Sequence, residues 1–246
     1  MRNIFKINIF TYLFFLLYIL SGFYKDILII YLILFIHELG HICIMKCYNI
    51  SIESVTFYPY GGMIKSNMLV NTNSFKVFII SLGGILSQLL LLCIFFIFFK
   101  VSIIDNYIFN IFFKYNNYII LFNLLPIYPL DGFKIFNSIF ELFFNFKKSI
   151  KLSLLLSLFC IVIFFVYLYV YKINNYVIVI FLLTSLINYI KEFKYLINKF
   201  YIERILYNLE YKGLISVSNI NYIYKNKFNY VNGISEKDVL KNKFKV

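Results

Sequence analysis

Residues 27–47 read ILIIYLILFIHELGHICIMKC, an apolar run in which His37, Glu38 and His41 stand out. These two histidines are the only ones in the chain. In an α-helix, residues i and i+4 lie on one face, so the two imidazoles converge on one point. The spacing H-E-x-x-H is typical of zinc-dependent proteolysis, in which both histidines bind the metal and the glutamate is the general base. The run therefore predicts a zinc site inside a helix that is apolar enough to cross a membrane.

The composition of the chain supports a membrane location. Of its 246 residues 62% are hydrophobic, whereas soluble domains contain about 45–50% apolar residues. The net charge of +13 raises the question of nucleic-acid binding. However, the basic residues flank apolar runs and gather near the C-terminus, which indicates orientation in an anionic bilayer and no direct nucleic-acid contact. The four cysteines lie in or beside apolar segments and form no pattern of a disulfide framework.

Six apolar segments are predicted to span the bilayer, several of them near the ~20 residues that a spanning helix needs. They cover about residues 7–23, 27–47, 77–99, 118–144 (interrupted), 150–171 and 176–190. The first segment has a basic start but no small-residue cleavage site, so we expect it to be retained. The predicted fold is an all-α polytopic membrane protein, with residues 1–190 as the membrane domain and residues 191–246 as a small cytoplasmic tail.

The lysine and arginine residues predict the orientation of this domain. With the N-terminus in the cytoplasm, the inside loops carry nine of them and the tail from Lys191 carries eleven, whereas the outside loops carry four. The positive-inside rule therefore places both termini in the cytoplasm. On this topology spans two and four run in the same direction, so His37 and Asp131 reach similar depths in the cytoplasmic half of the bilayer.

Two segments outside the spans have their own patterns. Residues 51–66 alternate β-branched and aromatic side chains around Pro59 and Gly61-Gly62, which predicts a short hairpin or a membrane-dipping loop. In the tail, residues 193–209 favour an amphipathic helix, followed by short strands and a final helix at residues 235–241. Gly83-Gly84, together with Ser87 and Gln88, indicates close helix packing in span three.

A catalytic zinc ion needs three protein ligands and an open position for water. Because the chain has no third histidine, the third ligand must be a carboxylate or a thiolate, and Asp131 is the best candidate. It ends a segment with Pro126 and Pro129, and such irregular backbone within a membrane must be buried in protein or line a wet cavity. Asn123 is either an amide that binds substrate or a helix–helix hydrogen-bonding residue. Glu141 lies near a helix end, where we expect it to be solvated.

The two motifs resemble those of the site-2 protease (M50) family of intramembrane zinc metalloproteases. His37-Glu-Leu-Gly-His41 is similar to its first motif, and Asn123-x-x-Pro126-x-x-Pro129-Leu-Asp131-Gly132 is similar to its second. The resemblance implies one zinc ion per chain on His37, His41 and Asp131, with Glu38 as the catalytic base. It also implies a membrane-reentrant segment at residues 59–62 that lines the substrate. The substrate-binding residues that it predicts are Asn123, Pro126, Gly61 and Gly62.

The size of the chain, its short loop after span two and the six-span layout are most similar to the sporulation branch of that family. This implies a membrane-associated sigma-factor precursor as substrate and inhibitory membrane proteins as partners. Residues 234–240 resemble the end of a nucleotide-sensing CBS module, reduced to one repeat at most. A membrane anti-sigma factor as substrate and a non-proteolytic role in metal binding or transport remain alternatives, and the sequence leaves a homo-oligomer open.

Overall fold

The structure is a computed structural model, and it describes residues 5–58, 61–172, 176–207, 209, 211 and 213–244. This part of the chain forms eight α-helices, six short strands and a 3-10 turn. In chain order they are β1 (Phe5–Ile7), α1 (Ile9–Leu20), α2 (Tyr24–Cys47), β2 (Ile52–Tyr58), β3 (Gly61–Ser66), α3 (Ser74–Lys100), α4 (Asn106–Leu124), α5 (Asp131–Phe143), α6 (Phe146–Val170), α7 (Tyr176–Leu206), β4 (Leu214–Val217), the 3-10 turn (Ile220–Tyr222), β5 (Phe228–Val231), β6 (Ile234–Ser235) and α8 (Glu236–Phe244). The chain divides into two compact units. The first unit comprises Met1–Met68 and Ile79–Asn123, and the second comprises Leu69–Phe78 and Leu124–Val246.

Four of the predicted spans are helices that are long and apolar enough to cross a membrane, namely α2, α3, α6 and α7. The first predicted span contains only the 12-residue helix α1, which rises about 18 Å at 1.5 Å per residue and is shorter than the ~30 Å hydrocarbon core. The fourth is divided into α4 and α5, as the two prolines predict. Six spans therefore remain a prediction, and the structure supports four.

The side chains of α6 are distributed as expected for a helix in contact with lipid. Its buried face carries Ser149, Ser153 and Ser157, whereas Leu155 and Phe159 are each 64% exposed. Water would favour the opposite arrangement, because exposed apolar surface is costly there and is not costly in hydrocarbon. The pattern supports a membrane environment for this helix.

The hairpin predicted from residues 51–66 is present in the first unit. Strand β2 pairs antiparallel with β3, with Tyr58 opposite Gly61, and β1 adds a parallel strand on the other edge of β2. Val55 and Phe57 pack on Ile42 of α2, which attaches the sheet to the helix that carries both histidines. Pro59 and Tyr60 lie outside the described residues.

Helix α7 passes through the predicted boundary at residue 190 without a break and ends at Leu206. The predicted span and most of the predicted amphipathic helix are therefore one element. The predicted strands and final helix of the tail are confirmed. Asn232 and Gly233, with φ angles of +50° and +83°, form the turn between β5 and β6, which is the backbone that an Asn-Gly hairpin requires. The division at residue 190 into two domains stays a prediction.

The tail is held to the end of α7 by a buried ion pair. Arg204 and Glu236 are both 0% exposed, and the guanidinium Nη1 lies 2.5–2.6 Å from the two carboxylate oxygens. The guanidinium also lies over the rings of Phe200 and Tyr211. Burial raises the pKa of the Tyr211 hydroxyl to about 12. These contacts make residues 213–244 an ordered module attached to the helix.

The expectation that Glu141 is solvated is wrong. Its side chain in α5 is buried, and Lys225 of the tail donates to its carboxylate at 2.9 Å. The hydroxyl of Ser74, the first residue of α3, donates to the same oxygen at 2.7 Å. A residue far along the chain covers this helix end, and no local pattern could indicate that.

Loss of Arg204 is expected to release the tail. Arg204→Met leaves the Glu236 carboxylate buried without a counter-charge, which costs about 3–5 kcal/mol of tail stability. Limited proteolysis of the full-length protein in detergent measures this as faster cleavage between residues 207 and 246. Replacing Glu236 by Met as well should restore most of the resistance, because no charge is then left buried.

The matched control is Lys147→Met, which removes a surface hydrogen bond between another basic residue and the tail at Asn221. That variant should change tail stability by less than about 1 kcal/mol. An Arg204→Met protein as resistant as the wild type would contradict the assignment.

Candidate metal centre

Helix α2 places both imidazoles on one face and turns their distal nitrogens toward each other. The Nε2 atoms of His37 and His41 lie 3.2 Å apart, and the two side chains are 3% and 6% exposed. Glu38, the residue after the first histidine, is 7% exposed. The structure thus brings together in the first unit the three residues that the first motif singles out.

The proximal nitrogens fix the tautomer of each ring. His41 Nδ1 donates to the backbone carbonyl of Ile80 at 2.7 Å, and His37 Nδ1 donates to the Oε1 atom of Gln88 at 3.0 Å. With a proton on each Nδ1, both Nε2 atoms present lone pairs, and these lone pairs face each other. The donor set therefore fits a metal ion that binds imidazole nitrogen, as zinc does.

Glycines let α3 approach this site closely. A methyl group at Gly84 would overlap the imidazole of His37, and one at Gly83 would press on the backbone of Gly40 at 2.8 Å. The hydroxyl of Ser87 lies 2.9 Å from the carbonyl oxygen of Ile36 and provides a polar contact between the helices. The close packing predicted from Gly83-Gly84 is confirmed, and it seats α3 directly on a histidine ring.

Strand β3 passes equally close to Glu38. A methyl group at Gly62 would overlap the Glu38 carboxyl group, so only glycine permits this approach. Gly61 adopts a φ of +147°, a conformation that side chains rarely take, and nothing lies within 4 Å of its missing Cβ. The structure therefore places the two predicted substrate-binding glycines at the end of a strand that touches the predicted base.

The second unit contains the proline-broken segment and Asp131. Tyr128–Pro129 is a cis peptide, and Ser157 of α6 donates to the Pro126 carbonyl at 2.7 Å. Asp131 is the first residue of α5, is 5% exposed, and accepts from Lys134 Nζ at 3.0 Å. The predicted break in the helix is confirmed, and its freed backbone is satisfied by a serine. The roles of Asp131 as a ligand and of Pro126 in substrate binding stay predictions.

Asn123 lies in the last turn of α4 and is half-buried. Both predicted roles of Asn123, substrate binding and a hydrogen bond between helices, stay open.

Sequence reasoning missed the roles of Gln88 and of the Ile80 carbonyl as acceptors for the histidines. The sequence did contain a signal for the role of Gln88. It is a glutamine inside the apolar run of α3, four residues after Gly84, and polar groups at membrane depth are costly.

Gly84→Ala is expected to weaken metal binding. The added methyl group must displace the His37 ring or separate the helices, and overpacking of this kind costs about 1–3 kcal/mol, or about tenfold or more in affinity. Zinc content of the purified protein, measured by elemental analysis, reports the loss. Leu90→Ala is the control, because that side chain lies in the same helix and is 67% exposed. Wild-type zinc content in Gly84→Ala would contradict the packing.

Comparison with known proteins bears directly on this site. The model of peptidase family M50 matches residues 26–105, which include α2, the β2–β3 hairpin and most of α3. Stage IV sporulation protein FB of Bacillus subtilis is 32% identical over 189 residues, 76% of this chain and 66% of that protein. A zinc metalloprotease of Methanocaldococcus jannaschii is 27% identical over 139 residues, 50% of this chain and 38% of that protein.

The chain thus spans just under two thirds of the sporulation protein and a smaller part of the archaeal one. A solved structure, the site-2 protease from Methanocaldococcus jannaschii, has the same fold, with a TM-score of 0.56 and 18% identity. The alignment covers 75% of this chain and 89% of that one. The matched region contains the paired histidines and the glycine-packed contact between α2 and α3, and the chain therefore carries a peptidase family M50 domain, the domain of a family of metalloendopeptidases.

Proposed function

We propose that this chain is a zinc-dependent intramembrane endopeptidase that performs regulated cleavage of a membrane-associated protein. The observation that carries the proposal is the pair of facing Nε2 atoms, 3.2 Å apart, in a helix long and apolar enough to cross a membrane. A soluble protease has no need to place its metal ligands in such a helix. Ionisable groups at membrane depth are costly and are retained for function.

His37, His41 and Asp131 hold the zinc ion in this proposal, one ion per chain. Asp131 is supported by its burial at the start of α5 and by the need for a third, anionic ligand after two neutral imidazoles. Lys134 keeps one oxygen of that carboxylate in an ion pair and so orients the group. Bound at this site, zinc would supply Lewis-acid polarisation of the scissile carbonyl and would lower the pKa of water.

Glu38 is the general base. It follows His37 in the chain, so the helix holds its carboxylate beside the ligands, and its burial excludes competing solvent. It accepts a proton from the attacking water and returns a proton to the amine that leaves. Asn123 lies in the last turn of α4 and Pro126 in the segment between α4 and α5. In this proposal the Asn123 amide binds a substrate carbonyl or the developing oxyanion.

Strand β3 receives the substrate. In the part of the chain that the structure describes, β3 pairs with β2 alone, which leaves its second edge open for an extended peptide. A helical substrate must unwind before cleavage, because its carbonyls are shielded by hydrogen bonds, and strand addition holds it unwound. The contact between Gly62 and Glu38 brings the paired peptide to the base.

The sporulation branch implied by the resemblance gives a sigma-factor precursor as the substrate and membrane proteins as inhibitory partners. Similarity to a sporulation protein over most of this chain supports that class. The excess of basic residues in the predicted inside loops supports cytoplasmic termini and a site in the cytoplasmic half of the bilayer. A membrane anti-sigma factor is the second candidate substrate, and side-by-side cleavage assays separate the two.

Glu38→Gln is expected to abolish cleavage of a co-expressed sigma-factor precursor, with a loss of about 10²–10⁴-fold. The variant keeps both histidines, so its zinc content should be unchanged. Asp131→Asn should instead lose both activity and zinc, because a neutral amide is a poor ligand. The measurement is the fraction of precursor cleaved, beside elemental analysis of each purified protein.

Asp238→Asn, an exposed substitution in the tail, is the control and should cleave as the wild type does. Full cleavage activity of Glu38→Gln would contradict the assignment of Glu38 as the general base. If the wild-type protein moved metal ions across the membrane and did not cleave the precursor, the transport alternative would be favoured.

Proline at Met63, Ile64 or Lys65 in β3 tests strand addition. Proline removes a backbone donor and blocks pairing, so at least one of these variants should lose cleavage while it keeps its zinc. Proline at Met68, beyond the strand, serves as the comparison, because Asn67 itself donates its backbone N–H to Ser51. If all three β3 variants cleaved at the wild-type rate, the substrate would have to bind elsewhere.

A further inference from the structure

We propose that Gln88 is a positioning residue that holds the His37 ring in the tautomer and orientation in which Nε2 binds the metal. The inference rests on the proposed zinc site and adds a residue outside the two motifs. Gln88 lies in α3, is 0% exposed, and its Oε1 atom is 3.0 Å from His37 Nδ1. A neutral imidazole carries one proton, so an acceptor at Nδ1 leaves the lone pair on Nε2.

The two histidines are held by different kinds of acceptor. The backbone carbonyl of Ile80 accepts from His41, and no substitution removes it. The acceptor for His37 is a side chain, so one residue decides the state of one ligand. With an apolar residue at position 88, the ring either buries an unpaired N–H or moves its proton to Nε2, and in the second tautomer Nε2 cannot bind a metal.

Helix α3 holds the His37 ring at two points, one helical turn apart. Gly84 lies against the ring atoms, where even a methyl group would overlap them, and Gln88 meets the ring nitrogen. Residues i and i+4 share a helix face, so both contacts come from the same side of α3. The packing fixes the position of the ring, and the amide fixes which nitrogen carries the proton and which one binds the metal.

The cost of Gln88 in this location argues for a specific role. Its Nε2 atom is buried and has no hydrogen-bond partner among the described residues. A half-satisfied buried amide is less favourable than a leucine of similar size, so packing alone does not account for it. A glutamine accepts from the imidazole without the buried charge that a glutamate would introduce.

The chain offers a matched control in Asn116 of α4. It is also 0% exposed, and neither polar atom of its side chain has a partner in the described part of the structure. Asn116→Leu therefore removes a buried amide from the same unit without removing a hydrogen bond to a histidine. Gln88→Leu and Gln88→Met remove the acceptor, and Gln88→Glu keeps it.

The experiment measures zinc affinity of the full-length protein in detergent, by competition with a chromophoric chelator. Gln88→Leu and Gln88→Met should bind zinc about 10–100-fold more weakly, the usual effect of losing the partner of a metal-bound histidine. Gln88→Glu should recover most of this affinity, and Asn116→Leu should match the wild type. The absorption spectrum of the cobalt-substituted protein should change in Gln88→Leu and return in Gln88→Glu, because it reports ligand geometry.

Wild-type zinc affinity and an unchanged cobalt spectrum in both Gln88→Leu and Gln88→Met would overturn the proposal. An equal loss in Asn116→Leu would also overturn it, since the effect would then be one of packing. Absence of zinc binding in the wild type would instead contradict the proposed function, so the two failures are distinguishable. Thermal unfolding of each variant, measured alongside, separates a lost ligand from a lost fold.

Discussion

The facing lone pairs of two imidazoles, one helical turn apart in an apolar helix, are the constraint on which the first unit depends. The Nε2 atoms of His37 and His41 lie 3.2 Å apart because each Nδ1 is occupied by an acceptor from α3. Two imidazole nitrogens this close together can bind one metal ion. The surrounding structure therefore has to supply acceptors behind the rings, exclude lipid and admit water.

Close backbone approach meets these requirements on both sides of α2. Gly83 and Gly84 bring α3 onto the histidines, and Gly62 brings a strand onto Glu38. Larger residues at these positions would push α3 and β3 away from α2. The same device thus brings helix α3 to a histidine and strand β3 to Glu38.

Local sequence patterns predicted much of this arrangement. The i,i+4 histidines, the break at Pro126 and Pro129, and the hairpin around residues 59–62 depend on neighbouring residues and followed from helix and turn geometry. Contacts between distant residues did not follow. Gln88 is 51 residues from His37, and Lys225 is 84 residues from Glu141. Only the folded chain brings these groups together, which is why Glu141 was expected in solvent and Gln88 was assigned to packing.

X-ray absorption at the zinc edge of the purified full-length protein tests the central claim most directly. The account predicts one zinc ion per chain with two imidazole nitrogens at about 2.0–2.1 Å and oxygen ligands at about 2.0–2.2 Å. Replacing either histidine should remove half of the imidazole scattering. A sulfur ligand at about 2.3 Å, or an absence of stoichiometric zinc, would contradict it.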